Sequence, residues 1–519
     1  MLNDKSPVKP NTIHMNAVLN MCSKANDMDA LSSIAAQLPA KGIRAPNNLT
    51  FSIILNATRM HALESLRGGL TEVQKRKVRQ KANMDARLIW EEITQRWRQG
   101  DILVDEALVC TMGRVLLLGE EQDIDDILSL IEQTMNIPRQ APPLYARKGR
   151  RERGREEETV AGEQSTNDFS TGDESPATSE ELNLAVVNPF KTPAPANKGT
   201  YLYAKPGQNT LALLMSALLD LQLKAPAAQY WNIITTDHDV KPDADNYHGY
   251  LRILRNARAS TESVKLLLTM PPSYMEAKTF RISMSTCIRD KNNHHAFSNA
   301  GKILDLMQES LAVPDVQALS NYLEVAFSCT TPLVKPSARD PSPAQYQQGR
   351  QIMRALERIN VSYLNLRSLL AHGDPSKPGA THMEKTALTE KVLRMTQKLV
   401  AAHDMLMRNA LVEKHLFADL RKERSKLAAF ITRFKEHKET SPRPALSLTD
   451  TEDGKIRKAE RSRFNRHLGR VRVTDPPLKR RKALARKAGV QTPADPLGNC
   501  QSGSADGVGA EWRRRAAEA

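Results

Sequence analysis

The chain has few of the residues on which disulfide scaffolds, metal sites and hydrolytic enzymes depend. Only five of its 519 residues are cysteines, and none forms a Cys-x-x-Cys pair or stands at zinc-finger spacing. Cys22, Cys110 and Cys287 fall on apolar faces of predicted helices, so we expect buried free thiols in a reducing compartment. There is no Gly-rich phosphate loop, no His-Glu-x-x-His and no nucleophile elbow. The sequence therefore predicts no enzyme, no metal site and no cofactor.

Long hydrophobic runs and targeting signals are also missing. No stretch is apolar over the length that a membrane-spanning helix requires. Residues 1–5 form neither a secretory signal nor the Arg-rich start of a mitochondrial transit peptide. The chain opens almost directly on a turn at Lys9-Pro10-Asn11, with no capping element before it, so we expect that upstream residues are lacking.

Acidic residues are in the minority. The formal net charge is +16, which favours a polyanionic partner. Nucleic acid is the natural candidate, and acidic proteins or membrane surfaces are the alternatives. From Lys455 onward, 17 lysines and arginines stand against 6 acids. Within that tail, the cluster Lys479-Arg480-Arg481-Lys482 fits either phosphate contacts or a nuclear-localisation signal.

A turn followed by an apolar helix recurs at a fixed spacing. Pro10 and Pro46 are 36 residues apart, Pro206 and Pro242 are also 36 apart, and Pro314 follows after 72. A period in the thirties is typical of stacked helical hairpins, in which each unit covers the apolar face of its neighbour. The sequence therefore predicts an all-α solenoid of helix-turn-helix repeats.

The repeats resemble those of the pentatricopeptide repeat (PPR) family, in the degenerate form found in fungal mitochondria. That family repeats a Lys-Pro-Asp turn, a first helix with Thr-Tyr-Asn-x-Leu-Ile, and a second helix with Gly-x-x-x-x-Ala-x-x-Leu-Phe-x-x-Met. This chain has Lys241-Pro242-Asp243 before one helix, and second helices at Asp27–Leu38 and Ala300–Met307. The resemblance covers residues 1–138 and 201–330.

The resemblance implies single-stranded RNA as the partner, with about one base per repeat. A base would meet the Asn of Thr-Tyr-Asn together with the Asp of the following turn. The matched pairs are Asn16 with Asn47, Ala212 with Asp243, His248 with Glu276, and Arg281 with Asp315, and Ser52 and Ser320 occupy the first position in two further units. Ala212, His248 and Arg281 depart from the family code, which favours shape or backbone contacts there. An Asn or Ser near a helix start also has a purely structural role as a cap.

Five segments are expected. Two repeat blocks, 1–138 and 201–330, flank a linker over 139–200 whose charged, Ser- and Pro-rich composition predicts disorder. The sequence of residues 331–440 predicts a helical region that either caps the array or pairs with a partner helix. Residues 441–519 are predicted to form a basic, mostly disordered tail. The first block carries an insertion at about 59–82, whose predicted basic helix offers Lys75, Arg76 and Lys77 as phosphate contacts or as a solvated face.

Three functions are consistent with these features. The first is a mitochondrial RNA-binding protein acting in transcript stability, processing, splicing or translation through binding alone. The second is a structural or assembly component of a ribonucleoprotein such as the mitochondrial ribosome, and the third is a protein-binding scaffold. A nuclear location is the alternative to the mitochondrion.

Overall fold

A computed structural model of the chain describes residues 10–147, 189–190, 202–329, 343–372 and 382–440. These residues all belong to one compact unit, 1–448. Their regular structure is helical throughout, with no strand in any of the described ranges. The predicted all-α repeat architecture is therefore confirmed.

Each repeat pairs a first helix, here called helix A, with a second, helix B. The A helices are α1 (Thr12–Lys24), α3 (Asn48–Arg67), α5 (Glu106–Leu116), α7 (Gln208–Asp220), α9 (Ala244–Asn256), α11 (Ala277–Arg289) and α13 (Val316–Ser328). The B helices are α2 (Met28–Ala36), α4 (Glu72–Gln99), α6 (Glu121–Met135), α8 (Lys224–Asn232), α10 (Ser260–Thr269) and α12 (Ala296–Ser310). A π-helical turn, Ile233–Asp237, continues α8.

The A helices form one continuous stack. Each packs against the A helix of the next unit, in the order α1, α3, α5, α7, α9, α11 and α13. The helix starts at Thr12 and Asn48 are 36 residues apart, as are those at Gln208 and Ala244, which agrees with the predicted period. Because α5 contacts α7, the two predicted repeat blocks pack directly on each other.

Three of the six turns between helices A and B share one backbone conformation. Asn26, Gln222 and Arg258 each lie two residues after an A helix and two before a B helix, with φ of 55°, 57° and 56°. This left-handed region suits Gly and Asn best. These three turns therefore have the same geometry although only Asn26 is a residue type that favours it.

The insertion in the first block lengthens a helical hairpin. The basic helix predicted in the insertion continues unbroken into the B helix of the second repeat. The two form one helix, α4, because no Gly or Pro interrupts residues 72–99. Its 28 residues span about 42 Å at 1.5 Å per residue. Helix α3 is lengthened to 20 residues, and Gly68-Gly69 lies in the turn between the two.

Two short parts of the predicted linker belong to the fold. At its start, Arg139 Nη2 lies 2.6 Å from Oδ1 of the buried Asp125, and Arg147 contacts the same oxygen. Within it, Gln133 Nε2 donates to the Pro189 carbonyl (2.9 Å), and Phe190 packs on Trp90. Residues 139–147 and 189–190 are therefore ordered where disorder was predicted. The rest of the predicted linker, 148–188 and 191–200, lies outside the described residues.

Three long helices follow the repeats: α14 (Pro343–His372), α15 (His382–Arg408) and α16 (Phe417–Thr440). Within the helical region predicted over 331–440, α15 and α16 form a hairpin joined by a short 3-10 turn. Helix α13 contacts both α14 and α15, so this region covers the last repeat. None of the helices in the described ranges is long and apolar enough to cross a lipid bilayer.

Candidate nucleic-acid interface

The fifth residue of every A helix stands at one equivalent place in the stack. These residues are Asn16, Ser52, Cys110, Ala212, His248, Arg281 and Ser320. They include all the first-position residues predicted from the sequence, and Cys110, which sequence reasoning missed because its unit lacks a recognisable turn motif. At four junctions this side chain contacts the N-terminal end of the next A helix. We call this recurring contact the inter-repeat ladder.

Asn16 and Asn47, predicted as one pair, are in contact. Asn16 Nδ2 donates to Asn47 Oδ1 (3.2 Å), and the Thr50 hydroxyl donates to Asn16 Oδ1 (2.7 Å). Asn47 is also the N-cap of α3, since its Oδ1 accepts the backbone N–H of Thr50 (3.0 Å). Asn16 is only 5% exposed, whereas Asn47 is exposed and its Nδ2 has no partner among the described residues. Asn47 is therefore the member of the pair that can reach a ligand.

Arg281 and Asp315 form the second predicted pair that the structure brings together. Arg281 Nε donates to Asp315 Oδ1 (2.9 Å), and its Nη2 donates to Oδ2 (2.5 Å). This two-point contact raises the pKa of the Arg281 guanidinium, chiefly through the hydrogen bond. Asp315 also caps α13 through the N–H of Ala318 (2.8 Å). Arg281 itself is exposed, so it presents a fixed cation at this junction.

His248 contacts Thr279 rather than its predicted partner Glu276. Its Nε2 lies 2.8 Å from the Thr279 hydroxyl, and the imidazole is 1% exposed. Burial lowers the pKa of His248, and the nearby Lys278 lowers it further. The imidazole is therefore neutral at physiological pH and serves the contact between α9 and α11.

Ala212 and Asp243, the remaining predicted pair, do not meet through a polar contact. Asp243 caps α9 by accepting the N–H of Asn246 (2.8 Å). Asn246 holds the place that Thr50 and Thr279 hold at other junctions. Because Ala212 offers no polar group, both amide atoms of the buried Asn246 lack a hydrogen-bond partner.

The two predicted serines lie in different surroundings. Ser52 is half-buried and donates to the carbonyl of Asn48 on its own helix (2.9 Å). Ser320 is 6% exposed, and its hydroxyl lies 3.2 Å from Met395 Sδ of α15. The C-terminal helices thus cover the fifth position of the last repeat.

Exposed apolar side chains stand beside the first junction. Ile13 and Leu49, the second residues of α1 and α3, are 75% and 54% exposed. The second and fifth residues of a helix lie on one face, so these side chains share a face with Asn16 and Ser52. Exposed apolar side chains of this kind offer a surface against which the face of an unpaired base can pack. Sequence reasoning missed both, although their fixed register in the repeat was a usable signal.

The predicted phosphate contacts in the insertion lie on α4. Lys75 Nζ pairs with Glu72 (2.7 Å), and Arg76 pairs with Glu120, its Nη2 donating to Oε2 at 2.9 Å. Lys77 is exposed. The tail cluster Lys479, Arg480, Arg481 and Lys482 lies outside the described residues.

The described residues contain no group of three His, Cys, Asp or Glu side chains that could hold a metal ion. Cys22, Cys110, Cys287 and Cys329 are free thiols. Burial raises the pKa of Cys110 to about 12, so this thiol stays protonated at neutral pH.

No protein-family model matches the chain, and no curated protein has a significantly similar sequence. The family resemblance therefore rests on the period and the residues quoted above.

Proposed function

We propose that the chain binds single-stranded RNA along the face of its A helices that carries the fifth residue, without catalysis. The inter-repeat ladder is the observation that carries this proposal, because it repeats one recognition position per unit along a continuous stack. Repeat proteins that read single strands use one unit per base.

Two further features support RNA as the partner. Ile13 and Leu49 offer apolar surface for base stacking beside the exposed Asn47. The net charge of +16 attracts phosphate, although most of it, 17 basic residues against 6 acids, lies in the tail from Lys455 onward. As the resemblance implies, mitochondrial transcripts would be the target, in their stability, processing, splicing or translation.

A structural role in a ribonucleoprotein such as the mitochondrial ribosome is the second candidate. It is favoured by the burial of four fifth residues, Asn16, Cys110, His248 and Ser320. Buried side chains cannot read a base, so a chain of this kind could serve as a scaffold held by its basic tail.

Binding by residues 1–448 separates the two candidates, because this compact unit contains the whole stack and excludes the basic tail. Fluorescence anisotropy with a short single-stranded RNA, at low and physiological salt, is the measurement. RNA binding through the A helices predicts retained, salt-sensitive affinity and a clear preference over a duplex of the same sequence. Complete loss of binding once the tail is removed would overturn it and favour the scaffold.

Asn47→Asp is the sharpest single variant. Asp keeps the cap on α3, since its carboxylate accepts the same backbone N–H, but it removes the exposed Nδ2 donor. Asn11→Asp is the matched control, because Asn11 caps α1 in the same way (3.1 Å to the N–H of His14) and acquires the same charge. We expect a change of sequence preference for Asn47→Asp and none for Asn11→Asp.

A further inference from the structure

Arginines gather at two places along the stack of A helices. The first group is Arg252 and Arg255 of α9 with Arg289 of α11, and the second is Arg59 of α3 with Arg114 of α5. The ninth and twelfth residues of a helix lie within about 40° of the fifth, viewed down the axis, at about 100° per residue. Arg252 and Arg114 are ninth residues and Arg255 and Arg59 are twelfth residues, so these four lie on the face of the predicted base-reading positions. Arg289, the thirteenth residue of α11, lies about 80° from the fifth.

The first group lacks a carboxylate partner in the part of the chain that the structure describes. Arg289 Nη1 donates to the neutral Asn256 Oδ1 (3.1 Å), which leaves its charge uncompensated. Arg255 is half-buried, and its Nε is enclosed without any hydrogen-bond partner. Burial lowers the pKa of Arg255, and the charges of Arg289 and Arg252 lower it further.

The second group repeats this arrangement in the first block. Arg59, like Arg255, is the twelfth residue of its helix, and its Nε is also enclosed without a partner. Arg114 Nη2 donates to the neutral Asn209 Oδ1 (3.2 Å). The pKa of Arg59 is lowered by burial and by the charge of Arg114.

Two other partly buried arginines are paired with acids. Arg87 binds Asp123 and Asp126, and Arg139 binds Asp125. Half-buried like charges without a counter-ion destabilise a free protein, and a bound anion removes that repulsion. An enclosed Nε fixes the guanidinium in place and leaves its Nη groups as donors, a geometry that suits the oxygens of a phosphate.

We propose that these two arginine groups bind backbone phosphates of a single-stranded RNA whose bases lie over the inter-repeat ladder. This inference rests on the proposed function and adds the residues that hold the strand. Interaxial distances of 8–10 Å between neighbouring helices place the α3–α5 and α9–α11 groups roughly 30 Å apart along the stack. One strand that follows the A helices can therefore occupy both.

The test uses the full-length chain and a labelled poly-uridine oligonucleotide over a range of salt concentrations. The variant is Arg255→Gln with Arg289→Gln. The matched control is Arg67→Gln with Arg394→Gln, which makes the same charge change at exposed arginines that already pair with Glu64 and Glu390. For two lost phosphate contacts, the slope of log affinity against log salt should fall by about 1.4, from about 0.7 per contact.

The free variant should unfold at the same temperature as the parent chain or at a higher one, because like-charge repulsion has been relieved. We expect the Arg255→Gln, Arg289→Gln variant to show a lower salt slope of its RNA affinity while keeping the stability of the parent chain. The control variant should show the parent slope. A slope equal to that of the parent chain would overturn this inference while the proposed function stands. If the parent chain itself does not bind the oligonucleotide, the proposed function and this inference both fail.

Discussion

Glu106 caps the helix that carries Thr210, across 104 residues of sequence. Its Oε1 accepts the backbone N–H of Thr210 (2.8 Å) and the Thr210 hydroxyl (3.0 Å). The residue at the N-cap position of α7 is Gly207, which has no side chain to serve as a cap. At this junction the preceding A helix supplies the group that the turn itself supplies in other repeats, and it joins α5 to α7.

Glu106→Ala should lower the free energy of unfolding by about 1–2 kcal/mol, because the N-terminus of α7 loses its acceptor. Chemical denaturation followed by circular dichroism measures the change. Adding Gly207→Asp to this variant should recover about 1 kcal/mol, since Asp restores a local cap.

In the parent chain, which keeps Glu106, Gly207→Asp should not raise the free energy of unfolding. A Cβ at residue 207 would lie 2.5 Å from Glu106 Oε2, so the new side chain and the native cap compete for one place. Equal effects of Gly207→Asp in both backgrounds would contradict the assignment of Glu106 as the cap.

Ala212→Ser should stabilise the chain by about 0.5–1.5 kcal/mol, by giving the buried amide of Asn246 a hydrogen-bond partner. Ala217→Ser, at a buried position of α7 outside the ladder, is the control and should destabilise. The unfolding temperatures of the two variants test this prediction. If both substitutions lower the unfolding temperature, the side chain at position 212 does not reach the amide of Asn246.

The stability of the stack should depend on pH through His248. Its pKa is lowered in the folded state, chiefly by burial, from an ordinary value of 6.5. The unfolded chain therefore binds this proton more readily, and the contribution of the neutral imidazole is complete above pH 6.5 and lost as the pH falls below it.

His248→Gln should flatten the stability profile between about pH 7 and pH 5, because the group that takes up the proton on unfolding is gone. The exposed His415 gives the control variant His415→Gln, which should keep the parent profile. Parallel profiles for all three proteins would show that His248 is not perturbed by the fold.

Gly349→Ala should destabilise the C-terminal helices by about 1–3 kcal/mol, as expected for overpacking. A Cβ at residue 349 would lie 1.8 Å from the carbonyl oxygen of Leu411, in the turn after α15. Gly69→Ala serves as the control because nothing lies within 4 Å of its added Cβ. A tolerated Gly349→Ala would contradict the close approach of α14 to this turn.

Local signals were sufficient to predict most of the helices. The Pro-centred turns and apolar spacing located α1, α2, α9 and α13 because each signal lies within a few residues of the element that it predicts. The family resemblance matched Asn16 with Asn47 and Arg281 with Asp315 as residues that would meet one base, and the structure brings the members of both pairs into contact.

Contacts that join distant segments could not be predicted in this way. Three such contacts join segments that are far apart in sequence. Glu106 caps α7, Met395 covers Ser320, and Phe190 packs on Trp90. The burial of His248 likewise follows from the approach of α11 and not from the sequence around it.

Ultraviolet cross-linking of single-stranded RNA to the full-length chain, with the modified peptides located by mass spectrometry, tests the central claim most directly. Binding along the A helices predicts cross-links in the first turns of these helices, around Asn47 and Leu49 and around Arg281. Cross-links confined to residues 455–519, or to the B helices, would contradict an RNA-binding face built on the inter-repeat ladder.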